Sequence, residues 1–79
     1  MGIPAGTDSI ECALGRYADM VFRIAYHNVK TREDAEDITQ EVFIKLISSG
    51  KSFTSPEHEK AWLIRVTVNK CRDFLRARH

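Results

Sequence analysis

The chain has 79 residues and a mass of 9.0 kDa, which is room for one small domain. By area scaling, folding hides only about 60% of the surface that the unfolded chain exposes, so a deep pocket under a lid is disfavoured. Most enzymes that bind metabolites or cofactors need such a pocket, so these classes of enzyme are disfavoured too. Hydrophobic residues make up 43% and charged residues 29%, as in a soluble globular domain, and the net charge is only +1.

The cysteine content and the hydropathy pattern indicate a cellular compartment. Cys12 and Cys71 are the two cysteines, and they show neither CxxC nor Cys/His spacing. A disulfide framework and a zinc site are therefore disfavoured, and a reducing environment fits best. No apolar run approaches the ~18 residues of a membrane span, and the N-terminus lacks the build of a signal peptide. We expect a cytoplasmic protein that does not enter a membrane.

The first helix is predicted after a short leader. We expect residues 1–7 to be flexible and residues 8–79 to form the folded domain. Asp8 followed by Glu11 resembles a capping box, and the helix is expected to continue to about Asn28. Apolar side chains recur at helical spacing within it, at Ile10, Leu14, Tyr17, Val21 and Ile24.

Two more helices follow, each with recognisable end signals. The second is predicted to begin after Thr31 and to stop at Gly50. Its expected buried stripe is Ala35, Ile38, Val42 and Leu46. The third has Ser55 as N-cap and Pro56 at its first position. Its expected buried stripe is Ala61, Ile64, Val68, Cys71 and Leu75. No strand-length alternation appears, so the predicted fold is an all-α three-helix bundle.

The near-zero net charge conceals a segregation of signs. Residues 32–46 carry two bases and five acids, whereas residues 60–79 carry six bases and one acid. In the third helix, spacings of four, seven and eleven residues place four polar side chains in one stripe, bordered by Trp62. These four are Arg65, Asn69, Arg72 and Arg76. Such a stripe suits nucleic acid, because guanidinium groups neutralise phosphates, an amide bonds base edges, and an aromatic ring stacks on bases. The alternatives are a merely solvated helix face and a Trp62 that packs half-buried.

The second helix has the complementary character. Asp34, Asp37 and Glu41 form an acidic stripe that points away from the core, with Ile44 and Ile47 beside it. Exposed aliphatic side chains among acids are typical of a docking surface for a basic protein. Alternatively, the acids simply stabilise the N-terminal end of the helix macrodipole, which does not explain Ile44.

The loop between the second and third helices is a candidate for holding an extruded base. Ser52 and Thr54 offer donors and acceptors beside the basic stripe, while Phe53 is expected to fold back towards the core. Catalytic and metal-binding motifs are missing from the sequence, with no P-loop, GxGxxG or HExxH. We expect His27, His58 and His79 to be surface or capping residues, and we predict neither enzyme activity, nor a cofactor, nor a metal.

The sequence resembles region 2 of the extracytoplasmic-function (ECF) sigma factors of bacterial RNA polymerase, over about Ile10 to Arg78. Two segments carry the resemblance, DAEDITQEVF in the second helix and RVTVNKCRDFLR in the third. It implies an all-α transcription initiation factor. In this family a helix-turn-helix domain that recognises the minus-thirty-five element is also present, and we expect this chain to lack it.

The resemblance also implies partners and site residues. In this family the second helix docks on the clamp helices of the largest catalytic subunit of core RNA polymerase. That role would fall on Asp34, Asp37, Gln40, Glu41, Phe43 and Ile44. The third helix and the loop before it recognise the promoter minus-ten element and stabilise the melted non-template strand. The DNA-binding residues would be Lys51, Ser52, Phe53 and Thr54 in the loop, and Trp62, Arg65, Asn69, Lys70, Arg72, Asp73 and Arg76 in the helix.

Two other functions remain open from the residues alone. A free-standing helix-turn-helix regulator would explain the basic helix, but it would leave the acidic stripe unused and would need a turn of three or four residues. A protein–protein module would bind an acidic partner, such as an anti-sigma factor, through the basic helix, which is compatible with the sigma-factor interpretation. We expect the domain to be a monomer.

Overall fold

Three helices make up the computed structural model, as the sequence predicts. The structure describes the backbone of residues 5–77, and the side chains of residues 17–77. Helix α1 is Ala5–Val29, α2 is Arg32–Ser49 and α3 is Pro56–Ala77. The described residues contain no strand. None of these helices is long and apolar enough to cross a membrane.

Helix α1 begins earlier than predicted. It starts at Ala5, so residues 5–7 of the expected leader are helical and Asp8 lies inside the helix instead of capping it. Alanine is the best helix former, and neither Gly6 nor Thr7 excludes a helix at this point. The remainder of the expected leader, residues 1–4, lies outside the described residues, as do the side chains of Ile10, Cys12 and Leu14.

The caps of α2 and α3 form as predicted. Thr31 is extended (φ −125°, ψ 146°), and its hydroxyl oxygen accepts from the backbone N–H of Asp34 at 3.3 Å. Gly50 ends α2 in the left-handed region at φ 62°, where glycine is unstrained. The Ser55 hydroxyl accepts from the backbone N–H of His58 at 3.1 Å. These caps satisfy backbone groups at three helix ends and fix where the connecting segments begin.

The core lies along the axis where the three helices meet. Each helix contributes one stripe of buried side chains: Tyr17, Val21, Ala25 and Val29 from α1, Ala35, Ile38, Val42 and Phe43 from α2, and Leu63, Val66, Thr67 and Cys71 from α3. The buried Thr67 hydroxyl donates to the carbonyl oxygen of Leu63 at 2.6 Å, so its burial leaves no hydrogen-bonding group unsatisfied. Burial also raises the pKa of the Cys71 thiol, which keeps it protonated and unreactive.

The predicted buried stripe of α2 is confirmed at Ala35, Ile38 and Val42, with Leu46 half-buried. The predicted stripe of α3 is wrong in its rotation. Ala61 and Leu75 are exposed, and Ile64 and Val68 are only half-buried. The prediction failed because α3 has apolar residues on more than one face and because a polar residue, Thr67, occupies a core position. Hydrophobic periodicity therefore identified the helix without fixing which face is buried.

We predict that Leu63→Ala destabilises the domain by about 2–5 kcal/mol, through lost burial and the cavity left behind. A chain of this size has a total stability of about 4–12 kcal/mol, so the loss is a large fraction of it. Leu75→Ala is the matched control, because Leu75 lies on the same helix and is 37% exposed. Urea unfolding followed by circular dichroism at 222 nm measures both variants, and equal losses would contradict the observed rotation of α3.

Candidate functional site

The outward face of α2 combines acidic and aliphatic side chains, as the sequence predicts. Asp37, Gln40 and Glu41 are all exposed. Ile44 is 62% exposed and Ile47 51%, far from the buried state usual for isoleucine. At 100° per residue these side chains lie on the side of α2 opposite Ala35 and Val42, which pack into the core. We call Asp37, Gln40, Glu41, Ile44 and Ile47 the acidic–aliphatic face.

Two residues expected on this face have other roles in the structure. The Asp34 carboxylate accepts from the Thr31 hydroxyl at 2.6 Å, so it is part of the N-cap of α2. Phe43 is only 5% exposed and packs in the core cluster. A side chain with so little exposed surface has almost none to offer a partner, so the structure assigns Phe43 to the core in place of the predicted partner contact.

The outward face of α3 is basic. Arg65, Asn69, Arg72 and Arg76 are exposed, as predicted. None of these three arginines forms an ion pair with another described residue. Their guanidinium groups therefore keep five donors each for an external acceptor such as a phosphate. We call Arg65, Asn69, Arg72 and Arg76 the basic face.

Lys70 and Glu41 join the two helices at the boundary between the faces. The Lys70 ammonium lies 3.4 Å from the Glu41 carboxylate, and the lysine side chain is 27% exposed. The pair spans an open groove of about 240 Å³, which is also lined by Ile38, Asp73 and Phe74. Sequence reasoning assigned Glu41 and Lys70 to different partners, whereas the structure pairs them with each other. Asp73 is exposed beside Lys70 at the edge of this groove.

The segment between α2 and α3 forms a pocket at the start of α3. Lys51, Ser52, Phe53 and Thr54 line an open pocket of about 450 Å³, together with Ser55, Pro56 and Glu59. Lys51, Ser52 and Thr54 are exposed and leave their polar groups accessible. At the far side, the Tyr17 hydroxyl donates to the Pro56 carbonyl at 3.4 Å, which ties the start of α3 to α1. The four predicted loop residues are thus brought together.

An aromatic cluster forms one side of this loop. Phe53 is half-buried, with its ring centroid 5.7 Å from that of Trp62 and 5.3 Å from that of His58. Trp62 is itself half-buried against the core, as the alternative interpretation expected. Phe53 folds back as predicted, but onto these two rings at the edge of the bundle. Sequence reasoning treated His58 as a surface residue and missed this contact, for which the only signal was its position in the first turn after the loop.

The remaining chemistry-bearing residues do not assemble into a site. Among the described side chains, no group of three or more His, Cys, Asp or Glu residues is placed to hold a metal ion. His27 is exposed on α1, and His79 lies outside the described residues.

Comparison with known proteins gives consistent matches. The family model of sigma-70 region 2 matches residues 14–79. The ECF RNA polymerase sigma factor SigE of Mycolicibacterium smegmatis is 36% identical over 77 residues, covering 98% of this chain and 30% of that protein. The RNA polymerase sigma factor SigV of Bacillus subtilis is 40% identical over 55 residues, covering 70% and 33%. The chain thus spans about a third of the length of these relatives. No solved structure matches it.

We predict a small, salt-sensitive coupling between Glu41 and Lys70. A double-mutant cycle with Glu41→Gln and Lys70→Gln should give about 0.2–1 kcal/mol in urea unfolding at low salt, because both groups remain partly in solvent. A second cycle on Arg32 and Glu36 is the control, because this pair lies 3.3 Å apart within α2 and does not connect two helices. A Glu41–Lys70 coupling of zero at low salt would show that the pair does not hold α2 to α3.

Proposed function

This chain belongs to the sigma-70 region 2 family, and we propose that it docks on core bacterial RNA polymerase and recognises and melts the promoter minus-ten element during transcription initiation. Its relatives are ECF RNA polymerase sigma factors, so the proposal is that of a binding domain and not of an enzyme. The observation that carries the proposal is the separation of an acidic–aliphatic face on α2 from a basic face on α3, together with the open pocket of the loop before α3.

The acidic–aliphatic face is proposed to contact the polymerase. Carboxylates of Asp37 and Glu41 would meet basic side chains of the clamp helices, while the exposed Ile44 would bury apolar area. Charge complementarity speeds association and sets orientation, and an aliphatic centre supplies the desolvated part of an interface. Gln40 lies between them and can both donate and accept hydrogen bonds. Asp34 and Phe43 would contribute by fixing the helix end and the helix position.

The basic face is proposed to contact promoter DNA. Arg65, Arg72 and Arg76 are free of ion pairs to described residues, so binding a phosphate would not require breaking an internal contact. Asn69 lies among them and has the amide group that pairs with the edge of adenine. Lys70 and Asp73 lie at the margin of this face, where Lys70 would exchange Glu41 for a phosphate and Asp73 would orient a neighbouring cation.

The pocket of the loop is proposed to hold a base of the melted non-template strand. Lys51 can neutralise the phosphate of that nucleotide, and the hydroxyls of Ser52 and Thr54 can bond its base edge. Phe53 and Trp62 present aromatic surface beside the same pocket, where stacking offsets the cost of unpairing a base.

The alternative of a free-standing DNA-binding regulator has less support. It would use the basic face alone and leave Ile44 and Ile47 exposed without a partner. Six residues separate the last residue of α2 from the first of α3, which is longer than the turn of a helix-turn-helix. From the family we also propose that the domain is a monomer, that it is located in the cytoplasm, and that an anti-sigma factor binds it.

We predict that Asp37→Arg weakens binding to core RNA polymerase by at least about tenfold, because it replaces an attraction with a repulsion on the docking face. Asp19→Arg is the matched control, since it makes the same substitution at an exposed position of another helix, α1, where only a surface ion pair with Arg23 is lost. Binding is measured by fluorescence anisotropy at two salt concentrations. If both variants bind equally well, the polymerase contact lies on another surface.

We predict that Asn69→Ala and Arg76→Ala affect DNA binding differently. Loss of Asn69 should reduce discrimination between the correct and a mutated minus-ten base by about 1–3 kcal/mol. Loss of Arg76 should weaken all sequences alike and lower the salt dependence by about one counterion. Both are measured with polymerase holoenzyme on a panel of mutated promoters. Identical effects across the panel would contradict the division into base and phosphate contacts.

A further inference from the structure

The imidazole of His58 has a ring contact and a hydrogen bond with the loop before α3, although His58 itself belongs to α3. Its ring stands edge-on to Phe53, with centroids 5.3 Å apart and an interplanar angle of 87°. Its Nδ1 atom lies 3.5 Å from the Thr54 hydroxyl, at the outer limit of a hydrogen bond. The side chain is exposed, and it is absent from the core cluster. Both described contacts of the imidazole are therefore with residues that line the pocket.

The cap of α3 determines where this ring emerges. The backbone N–H of His58 donates to the Ser55 hydroxyl at 3.1 Å, which fixes the first turn of the helix relative to the end of the loop. Trp62 follows one helical turn later, on the same side of α3. Phe53 thereby rests against two rings that a single rigid helix presents, one edge-on at 87° and one tilted at 58°.

We propose that His58 is a positioning residue for the nucleic-acid loop: its ring holds Phe53 against Trp62 and so keeps the pocket of residues 51–54 open. Rings in edge-to-face contact attract through their quadrupoles, and the contact restricts Phe53 to one placement. Lys51, Ser52 and Thr54 are exposed, so Phe53 is the only one of these four that is even half-buried. The proposal rests on the proposed function, because the pocket matters only if the loop binds nucleic acid.

Preorganisation is the reason that such a contact would affect affinity. A loop that is ordered before binding loses less conformational freedom when a nucleotide enters it. Without the ring of His58, Phe53 keeps its ring contact with Trp62 but loses the one with His58, and the loop samples more conformations. The affinity for single-stranded DNA falls accordingly, while the core is unaffected because His58 has no part in it.

The test uses Trp62, the only tryptophan of the chain, as a reporter of the loop. Acrylamide quenching of its fluorescence measures its accessibility in the free protein, and anisotropy of labelled twelve-nucleotide oligo(dT) measures binding. The variants are His58→Ala, which removes the ring, and His58→Phe, which keeps a ring but loses Nδ1. His27→Ala is the matched control, because His27 is exposed on α1. Circular dichroism verifies that each variant is folded.

We expect His58→Ala to increase quenching of Trp62 and to weaken oligo(dT) binding about three- to tenfold. His58→Phe should restore most of both properties, and His27→Ala should change neither. Wild-type quenching in His58→Ala would overturn the positioning role, and so would increased quenching with wild-type affinity. If the unaltered chain fails to bind oligo(dT) at low salt, the proposed function fails, and the quenching measurement still decides whether His58 orders the loop.

Discussion

The burial of one stripe of α3 fixes the orientation of every side chain of this helix that is proposed to contact DNA. Leu63 and Thr67 are fully buried, and the hydrogen bond from Thr67 back to the Leu63 carbonyl satisfies the one polar group of that stripe. Since successive residues of a helix are separated by 100°, burying this stripe sends Arg65, Asn69 and Arg72 to the opposite side. A rotation of α3 by one residue in one direction would turn Asn69 and Asp73 towards the core, where unpaired polar groups are costly. The opposite rotation would bury the apolar stripe that the sequence predicted, so polarity alone does not select the observed orientation.

The ends of the helices then decide where the loop lies relative to the two faces. Gly50 turns the chain out of α2 in the left-handed conformation, and Ser55 starts α3 with a capped first turn. The segment between α2 and α3 is six residues long, and the Tyr17 hydroxyl donates to the Pro56 carbonyl from the α1 side. The position of the pocket is thus a consequence of where two helices stop and start.

The sequence predicted most of the fold because the signals involved are local. Thr31, Gly50 and Ser55 each act on backbone groups within four residues, so their roles could be inferred without knowing the tertiary structure. The exposed stripes could be predicted for the same reason, since a run of charged residues at helical spacing has only one solvent-facing arrangement. The start of α1 was missed, because Ala5, Gly6 and Thr7 carry no strong signal for or against a helix.

Local sequence signals could not predict the contacts between helices. Phe43 and Ile44 are adjacent and both large and apolar, and only the position of α1 and α3 decides that the first is buried and the second exposed. Glu41 and Lys70 are separated by 29 residues, so their pairing depends on the register between two helices. The core position of Thr67 has the same origin: a threonine is tolerated there because its hydroxyl bonds within its own helix.

The net charge of +1 is a poor guide to such a molecule, for an electrostatic reason. At physiological ionic strength, salt screens the interaction between exposed charges over about 8 Å. The axes of two packed helices are already about 10 Å apart, and their outward faces are farther apart still. The acids of α2 and the arginines of α3 therefore do not neutralise one another across the bundle. Among the described residues, an acid of α2 and a base of α3 approach within salt-bridge distance only at Glu41 and Lys70, at the shared edge of the two faces. Everywhere else each face presents its own sign of charge, so a small domain with almost no net charge can attract both a basic protein surface and a polyanion.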